Sequence, residues 1–128
     1  GITSLSGAKG FFIELFCNHF VNMVFDPWWM SESRPTDRDI QKICNKVRPV
    51  AEYTAGKSRK CKVPFPRFVV VEYKTQLEHG TKYFVKVDAG VCYVHLCIHQ
   101  DYECGGGRIK LEKMLVNLDE DYPLEYFD

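Results

Sequence analysis

The sequence has no excess of charge of either sign. Its 17 lysines and arginines are balanced by 17 aspartates and glutamates, so the formal net charge at pH 7 is zero. Because binding to nucleic acid or to an anionic membrane depends largely on positive charge, this balance argues against a broad electrostatic interface with either. With 128 residues, of which 45% are hydrophobic and 14% aromatic, the chain is long and apolar enough for one domain with its own core.

Several chemical motifs are also missing. The six cysteines include no C-x-x-C pair, which argues against a zinc ribbon or a redox motif. Reduced thiols are favoured, so we expect a cytoplasmic protein. The one disulfide kept as an alternative joins Cys97 to Cys104, which flank a predicted turn. The GGGR stretch at 105–108 has no following Lys-Ser/Thr, so it is not a phosphate loop. No nucleophile motif is present, and no enzymatic activity is predicted.

A long hydrophobic run is missing as well. The apolar stretch GFFIELFCNHFVNMVF at 10–25 is too short and too polar to span a membrane, and it lacks the features of a signal peptide. Its apolar residues recur at helical spacing, which is compatible with an amphipathic helix. The alternative is an upstream reading frame, with Met23 or Met30 as the true start. We therefore divide the chain into an N-terminal extension, 1–29, and a domain, 30–128.

One helix is predicted over residues 36–53. Asp37 can cap its start, and Pro49 is expected to end or bend it. Residues 54–64 are basic and are predicted to form a solvated loop. The stripe expected to face the core comprises Ile40, Ile43, Val47 and Val50.

Residues 65–119 predict one strand after another. The intervening turns at 76–80, 88–90 and 101–107 are short, which indicates antiparallel pairing. One helix followed by such a meander gives an α+β fold in which the sheet packs on the helix. Residues that alternate along one strand share a face: Val94, Leu96 and Ile98 are expected to face the helix, and His95, Cys97 and His99 to face away.

Histidine and cysteine on one face suit zinc or copper, but the spacing does not. Residues two apart on a strand are about 7 Å apart, which is awkward for a single ion. We therefore predict no metal site and no cofactor.

Three blocks of the sequence carry a family resemblance. SESRPTDRDIQKICNKVRP, VVEYKTQLEHGTKYFVKVDAG and YVHLCIHQ, followed by the terminal PLEYF, resemble the stefins, the intracellular branch of the cystatin superfamily. The resemblance covers roughly residues 30–127. It implies the cystatin fold, one long helix packed against an antiparallel β-sheet meander, in a protein that performs no chemistry.

The resemblance also implies a function. Stefins are reversible competitive inhibitors that insert as a wedge into the active-site cleft of papain-like cysteine proteases such as cathepsins. Three segments form that wedge: a glycine-bearing N-terminal strand, a first hairpin loop of pattern Q-x-V-x-G, and a second hairpin loop with an apolar residue before proline. The corresponding protease-binding residues are Trp28, Trp29 and Met30; Gln76, Leu77, Glu78, His79 and Gly80; and Tyr102 and Glu103.

This chain departs from the pattern in each segment. Glu78 stands where the pattern has valine, and an unpaired carboxylate in an apolar slot costs several kcal/mol. A net loss of about 3 kcal/mol weakens binding roughly a hundredfold. Trp28 and Trp29 replace glycines, and Glu103 replaces proline. A weakened inhibitor is therefore expected.

Two further hypotheses stay open. One is a stefin-fold protein-binding module that has lost protease inhibition. The other is a homodimer that swaps domains through the first hairpin, and it is compatible with either function.

Overall fold

The computed structural model describes residues 30–127, which form one helix and five strands. The strands are β1 (Arg34–Pro35), β2 (Val69–Leu77), β3 (Thr81–Asp88), β4 (Tyr93–Gln100) and β5 (Ile109–Leu118), and the helix α1 is Arg38–Ser58. The strands form a single sheet in sequence order, and every neighbouring pair is antiparallel. The predicted α+β meander is confirmed. Within these residues no helix is both long and apolar enough to cross a bilayer.

The helix begins where the sequence predicts but ends later. Asp37 is the N-cap, and its Oδ1 accepts a hydrogen bond of 2.9 Å from the Ile40 amide. The predicted end at residue 53, and the loop from 54, were wrong, because α1 continues through Pro49 to Ser58. Proline removes only one backbone donor, and Ala51 and Ala55 beyond it remain buried against the sheet. Packing therefore keeps the last two turns helical.

The buried face of α1 differs from the predicted stripe at one position. Ile40 and Val47 are buried and Ile43 is partly buried, as expected, whereas Val50 is 52% exposed. A stripe that follows 3.6 residues per turn passes from Val47 to Ala51 and so leaves Val50 on the solvent side. The buried positions of the helix are Ile40, Cys44, Val47, Ala51 and Ala55.

The sheet has a buried residue layer on both faces. The face toward α1 includes Val94, Leu96 and Ile98, as predicted, in one core cluster with the helix residues. On the other face Phe84, Cys97 and Leu124 form a second cluster, with Met30 and Phe127 packed against it. The C-terminal segment therefore covers a sheet face that would otherwise be solvated.

The alternative of a disulfide between Cys97 and Cys104 is wrong. Cys97 is a free thiol and only 1% exposed. Its side chain lies in the second cluster beneath the C-terminal segment, not toward the loop that follows β4.

Candidate functional site

Two loops meet at one edge of the sheet. Leu77 pairs with Thr81, Thr81 with Gln100 and Gln100 with Ile109, so the β2–β3 turn and the β4–β5 connection leave the sheet side by side. Gly80 fixes their approach. A Cβ atom at this position would lie 2.3 Å from the Gln100 carbonyl oxygen, and the φ of Gly80 is +117°. Only glycine fits this backbone without strain.

The N-terminal part of the described chain runs toward the same edge. Arg34 pairs with Tyr73 in β2, and three residues earlier Ser31 bonds to Thr75. The Ser31 amide donates to the Thr75 carbonyl at 2.8 Å, and the Thr75 amide donates to Ser31 Oγ at 2.9 Å. Reading back toward Met30 the chain therefore approaches the β2–β3 turn. Trp28 and Trp29 lie outside the described residues.

The first loop, 76–80, is divided between buried and exposed residues. Gln76 and Leu77 still belong to β2 and are 1% and 4% exposed, so their side chains support the turn from inside. His79 is exposed, and its φ of 49° places it, like Gly80, in the left-handed region. Glu78 lies between these two environments, and its side chain is partly exposed.

Glu78 has a charged partner within the molecule. Its Oε2 lies 2.6 Å from Lys82 Nζ, which also lies 3.5 Å from Glu112 Oε1 on β5. Burial alone would lower the pKa of Lys82, but the hydrogen bond to Glu78 and the charges of both carboxylates raise it overall. Lys82 is therefore held protonated, and the carboxylate at the valine position of the pattern is neutralised in the free protein.

His99 holds the first loop in place. Its Nε2 lies 3.0 Å from the Glu78 carbonyl oxygen and 2.9 Å from that of His79, so an Nε2–H can donate to both. The sequence pattern places His99 on one face with His95 and Cys97 but does not predict this role at the turn. The available signal was the register, in which His99 faces Lys82, two residues from Gly80.

The second loop is held by its own backbone hydrogen bonds. Asp101 donates its amide to the Arg108 carbonyl at 2.8 Å and so extends the pairing of the two strands. A 3₁₀ turn follows at Glu103–Gly105, and the amides of Gly105 and Gly107 both donate to the Tyr102 carbonyl at 2.9 Å. The predicted loop at 101–107 thus has a defined conformation with Glu103 exposed.

Tyr102 links the two loops. Burial raises the pKa of its phenol, while a hydrogen bond from the backbone of Gly80 acts in the opposite direction. The aromatic side chain of the second loop therefore rests against the glycine of the first. The structure brings the first and second loops together at one edge, and the chain at Met30 runs toward that edge while its side chain packs against the second cluster.

A groove behind this edge separates the loops from the start of α1. Its volume is about 380 Å³, and its lining includes Asp37, Tyr73, Tyr83 and Gln100. Tyr73 donates its hydroxyl to Asp37 Oδ2 at 3.0 Å, and Tyr83 donates to Gln100 Oε1 at 3.2 Å. These bonds connect the sheet to the helix cap and to the base of the second loop, so they make the edge stiff.

Known proteins with similar sequences identify the family. No family model matches the chain. It is 43% identical over 98 residues to cystatin-B of Paralichthys olivaceus, covering 74% of this chain and 94% of that protein. It is 31% identical over 102 residues to cystatin-A of Mus musculus, covering 79% and 98%, and 35% identical over 72 residues to leukocyte cysteine proteinase inhibitor 1 of Sus scrofa, covering 56% and 64%. Because the matches to the two cystatins span nearly their whole length, the chain belongs to the stefin-type cystatins.

Proposed function

We propose that this chain is a reversible, competitive inhibitor of papain-like cysteine proteases, and not an enzyme. One relative carries cysteine proteinase inhibition in its name. The observation that supports the proposal best is that the first and second loops meet at one edge of the sheet, toward which the chain runs from Ser31 to Met30. A wedge that enters a single cleft needs these three segments side by side.

The stiffness of the edge suits insertion into a preformed cleft. The hydrogen bonds of His99 and the backbone hydrogen bonds of the second loop hold both loops before binding, so little conformational entropy is lost on docking. His79, Tyr102 and Glu103 offer the accessible side chains. Gln76 and Leu77 are buried, and we assign them the role of supporting the turn from beneath. The cleft is blocked by loop surfaces, with no peptide bond presented for cleavage.

Glu78 is proposed to weaken this inhibitor. In an apolar cleft the carboxylate and its Lys82 partner both lose water, and the attraction between them only partly offsets that loss. Valine at this position removes the penalty and adds apolar contact. The pairing with Lys82 makes the expected penalty smaller than that of an isolated carboxylate.

Titration of papain with the purified chain tests the function and the role of Glu78 together. We expect the wild-type chain to inhibit, and Glu78→Val to lower the inhibition constant by up to about a hundredfold, which corresponds to about 3 kcal/mol. Glu112→Gln is the matched control, because it removes the other carboxylate near Lys82, 3.5 Å away on β5, without altering the first loop. Its potency should equal that of the wild type.

The outcomes separate the two candidate functions. Equal potency of Glu78→Val and wild type would contradict the account of the first loop but not the inhibition itself. If neither inhibits at high concentration while circular dichroism shows a native fold, the chain is a stefin-fold protein-binding module that has lost inhibition.

A second comparison measures the contribution of the N-terminal segment. Chains that begin at Gly1 and at Met30 are titrated against papain in parallel. We expect Trp28 and Trp29 to add contact area at the cleft, since indole side chains bury a large apolar surface, and the longer chain should bind more tightly. Weaker binding of the longer chain would mean that the indoles clash where the family has glycines.

A further inference from the structure

The free thiols of the described chain fall into two groups. Cys44 and Cys97 are buried in the two clusters, and Cys61 and Cys92 are partly exposed. Reagents from solution therefore reach Cys61 and Cys92 first. Neither of these two belongs to the edge that carries the proposed inhibitory loops.

Cys61 and Cys92 are 31 residues apart in sequence but lie in two segments that pack together. Cys61 follows α1, and Cys92 lies in the turn between β3 and β4. The two segments touch at Gly90, where a Cβ atom would lie 2.5 Å from Pro66 Cγ. An ion pair of 3.2 Å between Arg67 Nε and Asp88 Oδ2 joins them again.

The two thiol side chains pack against the same cluster, the core cluster between α1 and the sheet. The Cys92 thiol is also close enough to help raise the pKa of Cys61, which agrees with the two side chains being neighbours.

We propose that Cys61 and Cys92 form a two-thiol modification site, which reacts with low-molecular-weight disulfides such as oxidised glutathione and closes into an intramolecular disulfide. Their proximity, their access to solvent and the rigid packing of their two segments satisfy the requirement that the partner thiol be within reach once the first has reacted.

The proposed order of attack follows from the environment of Cys61. Burial, with a smaller contribution from the neighbouring Cys92, raises the pKa of Cys61 to about 11, so little of it is thiolate at neutral pH. Because the thiolate is the nucleophile and little of Cys61 is in that form, we assign the first attack to the other member of the pair, Cys92. Its sulfur bonds to one sulfur of oxidised glutathione, the glutathione disulfide breaks, and one glutathione thiolate leaves and takes up a proton.

Cys61 completes the reaction. It gives up its proton and attacks the sulfur of Cys92, the Cys61–Cys92 bond forms, and the second glutathione leaves as a thiolate that is then protonated. Two protein thiols are thereby oxidised by two electrons, and one oxidised glutathione is reduced to two thiols.

The site lies at the opposite end of the sheet from the proposed inhibitory edge. β3 begins at Thr81 beside the first loop and ends at Asp88, just before the turn that carries Cys92. The new bond ties that turn to the segment after α1 and leaves both inhibitory loops untouched. The proposal therefore stands or falls independently of protease inhibition.

The test is peptide mapping of the whole chain after incubation with oxidised glutathione. Under native conditions, followed by alkylation and proteolysis, mass spectrometry should find the Cys61 and Cys92 peptides joined and lighter by two hydrogens. The disulfide closes a loop of about 30 residues, so the Tm should rise by about 10 °C, and dithiothreitol should reverse the shift. Papain inhibition, if present in the reduced chain, should be unchanged.

Single variants distinguish the proposed route. The reaction of Cys61→Ser should stop at the mixed disulfide, with one glutathione on Cys92. In Cys92→Ser, Cys61 should remain largely unmodified, and the Tm should be the same before and after incubation with oxidised glutathione. The proposal is overturned if both cysteines of the wild type remain alkylatable after oxidation. It is equally overturned if they carry one glutathione each without joining.

Discussion

At the residue scale, the most unusual group is a buried histidine without a polar partner. His95 is 1% exposed, and neither ring nitrogen has a hydrogen-bond partner within residues 30–127. Its ring contacts the edge of Tyr122 from the C-terminal segment. Burial, and then the positive charge of Lys86, lower the pKa of His95 to about 4 against a weaker opposing effect of Glu72. The imidazole is therefore neutral at physiological pH and behaves as an aromatic core residue.

This histidine should make the stability of the fold depend on pH. The folded pKa lies below the unfolded value of 6.5, so the unfolded chain binds the extra proton first, and stability falls as pH drops from 6.5 through 4. A shift of this size corresponds to about 3 kcal/mol of unfolding free energy across that window. Urea denaturation at a series of pH values measures it.

His95→Phe provides the comparison for this prediction. Phenylalanine keeps the contact with Tyr122 and cannot take up a proton, so the variant should lose about 3 kcal/mol less than the wild type between pH 6.5 and 4. His79 and His99 remain in both proteins and cancel in the difference. Parallel stability curves for the two proteins would contradict the assignment to His95.

At the element scale, the strands were easier to predict than the segments that cover them. Alternation along β4 placed Val94 on the helix side and His95 opposite, because a strand has a period of two and its faces follow from the sequence. Alternation cannot reveal what lies on the second face. Residues 119–127 have no regular secondary structure, yet Leu124 is buried against Phe84 and Cys97. Such irregular packing has no periodic signal.

In the helix, a sequence signal is present but long-range packing overrides it. Proline is a reliable local signal for a break, but α1 passes through Pro49 because its buried alanines contact the sheet. Long-range packing decided the outcome, and a local rule cannot include it. The loops at the edge were identified through the family resemblance, whereas the hydrogen bonds of His99 depend on the strand register.

The covering segment gives a prediction for Cys97. Burial raises the pKa of this thiol to about 11, and the packed segment shields it, so alkylation of the folded wild type should be slow. Leu124→Ala removes the side chain that lies over it and should cost about 2–3 kcal/mol of stability. The rate of iodoacetamide labelling of Cys97, followed by peptide-resolved mass spectrometry, should rise at least about tenfold.

Glu125→Ala is the control for Leu124→Ala, because it changes an exposed neighbour in the same segment. Its labelling rate should match that of the wild type. Equal labelling of Cys97 in all three proteins would show that the C-terminal segment does not protect this face.

At the scale of the whole molecule, the two ends of the sheet have different proposed functions. The end at Gly80 and Gln100 holds the loops proposed to enter a protease, and the end at Asp88 and Tyr93 holds the thiol pair. With zero net charge the chain as a whole is not drawn toward a partner of either sign, so the proposed recognition would depend on the shape and the local charges of the edge. The backbone is strained in the first loop, where the chain reverses through two residues in the left-handed region, His79 and Gly80.

Domain swapping would relieve that strain. If residues 78–80 straighten, β2 and β3 become one long strand, and each chain supplies its β1, α1 and β2 to the other in a symmetric dimer. Gly80→Ala makes the closed turn worse, since its φ of +117° disfavours alanine and its Cβ would meet the Gln100 oxygen at 2.3 Å. We therefore expect this variant to form several-fold more dimer than the wild type after partial unfolding and refolding, measured by size-exclusion chromatography with light scattering.

Gly106→Ala separates the effect of the hinge from that of a strained glycine in general. Gly106 has a similar φ of +104°, but it lies in the second loop, where the nearest atom to an added Cβ is Arg108 Nε at 3.9 Å. Straightening of the first loop does not relieve strain there, so Gly106→Ala should lower stability slightly and remain monomeric. A dimer fraction that rises equally in both variants would assign the exchange to general destabilisation, and a monomeric Gly80→Ala would exclude the first hairpin as the hinge.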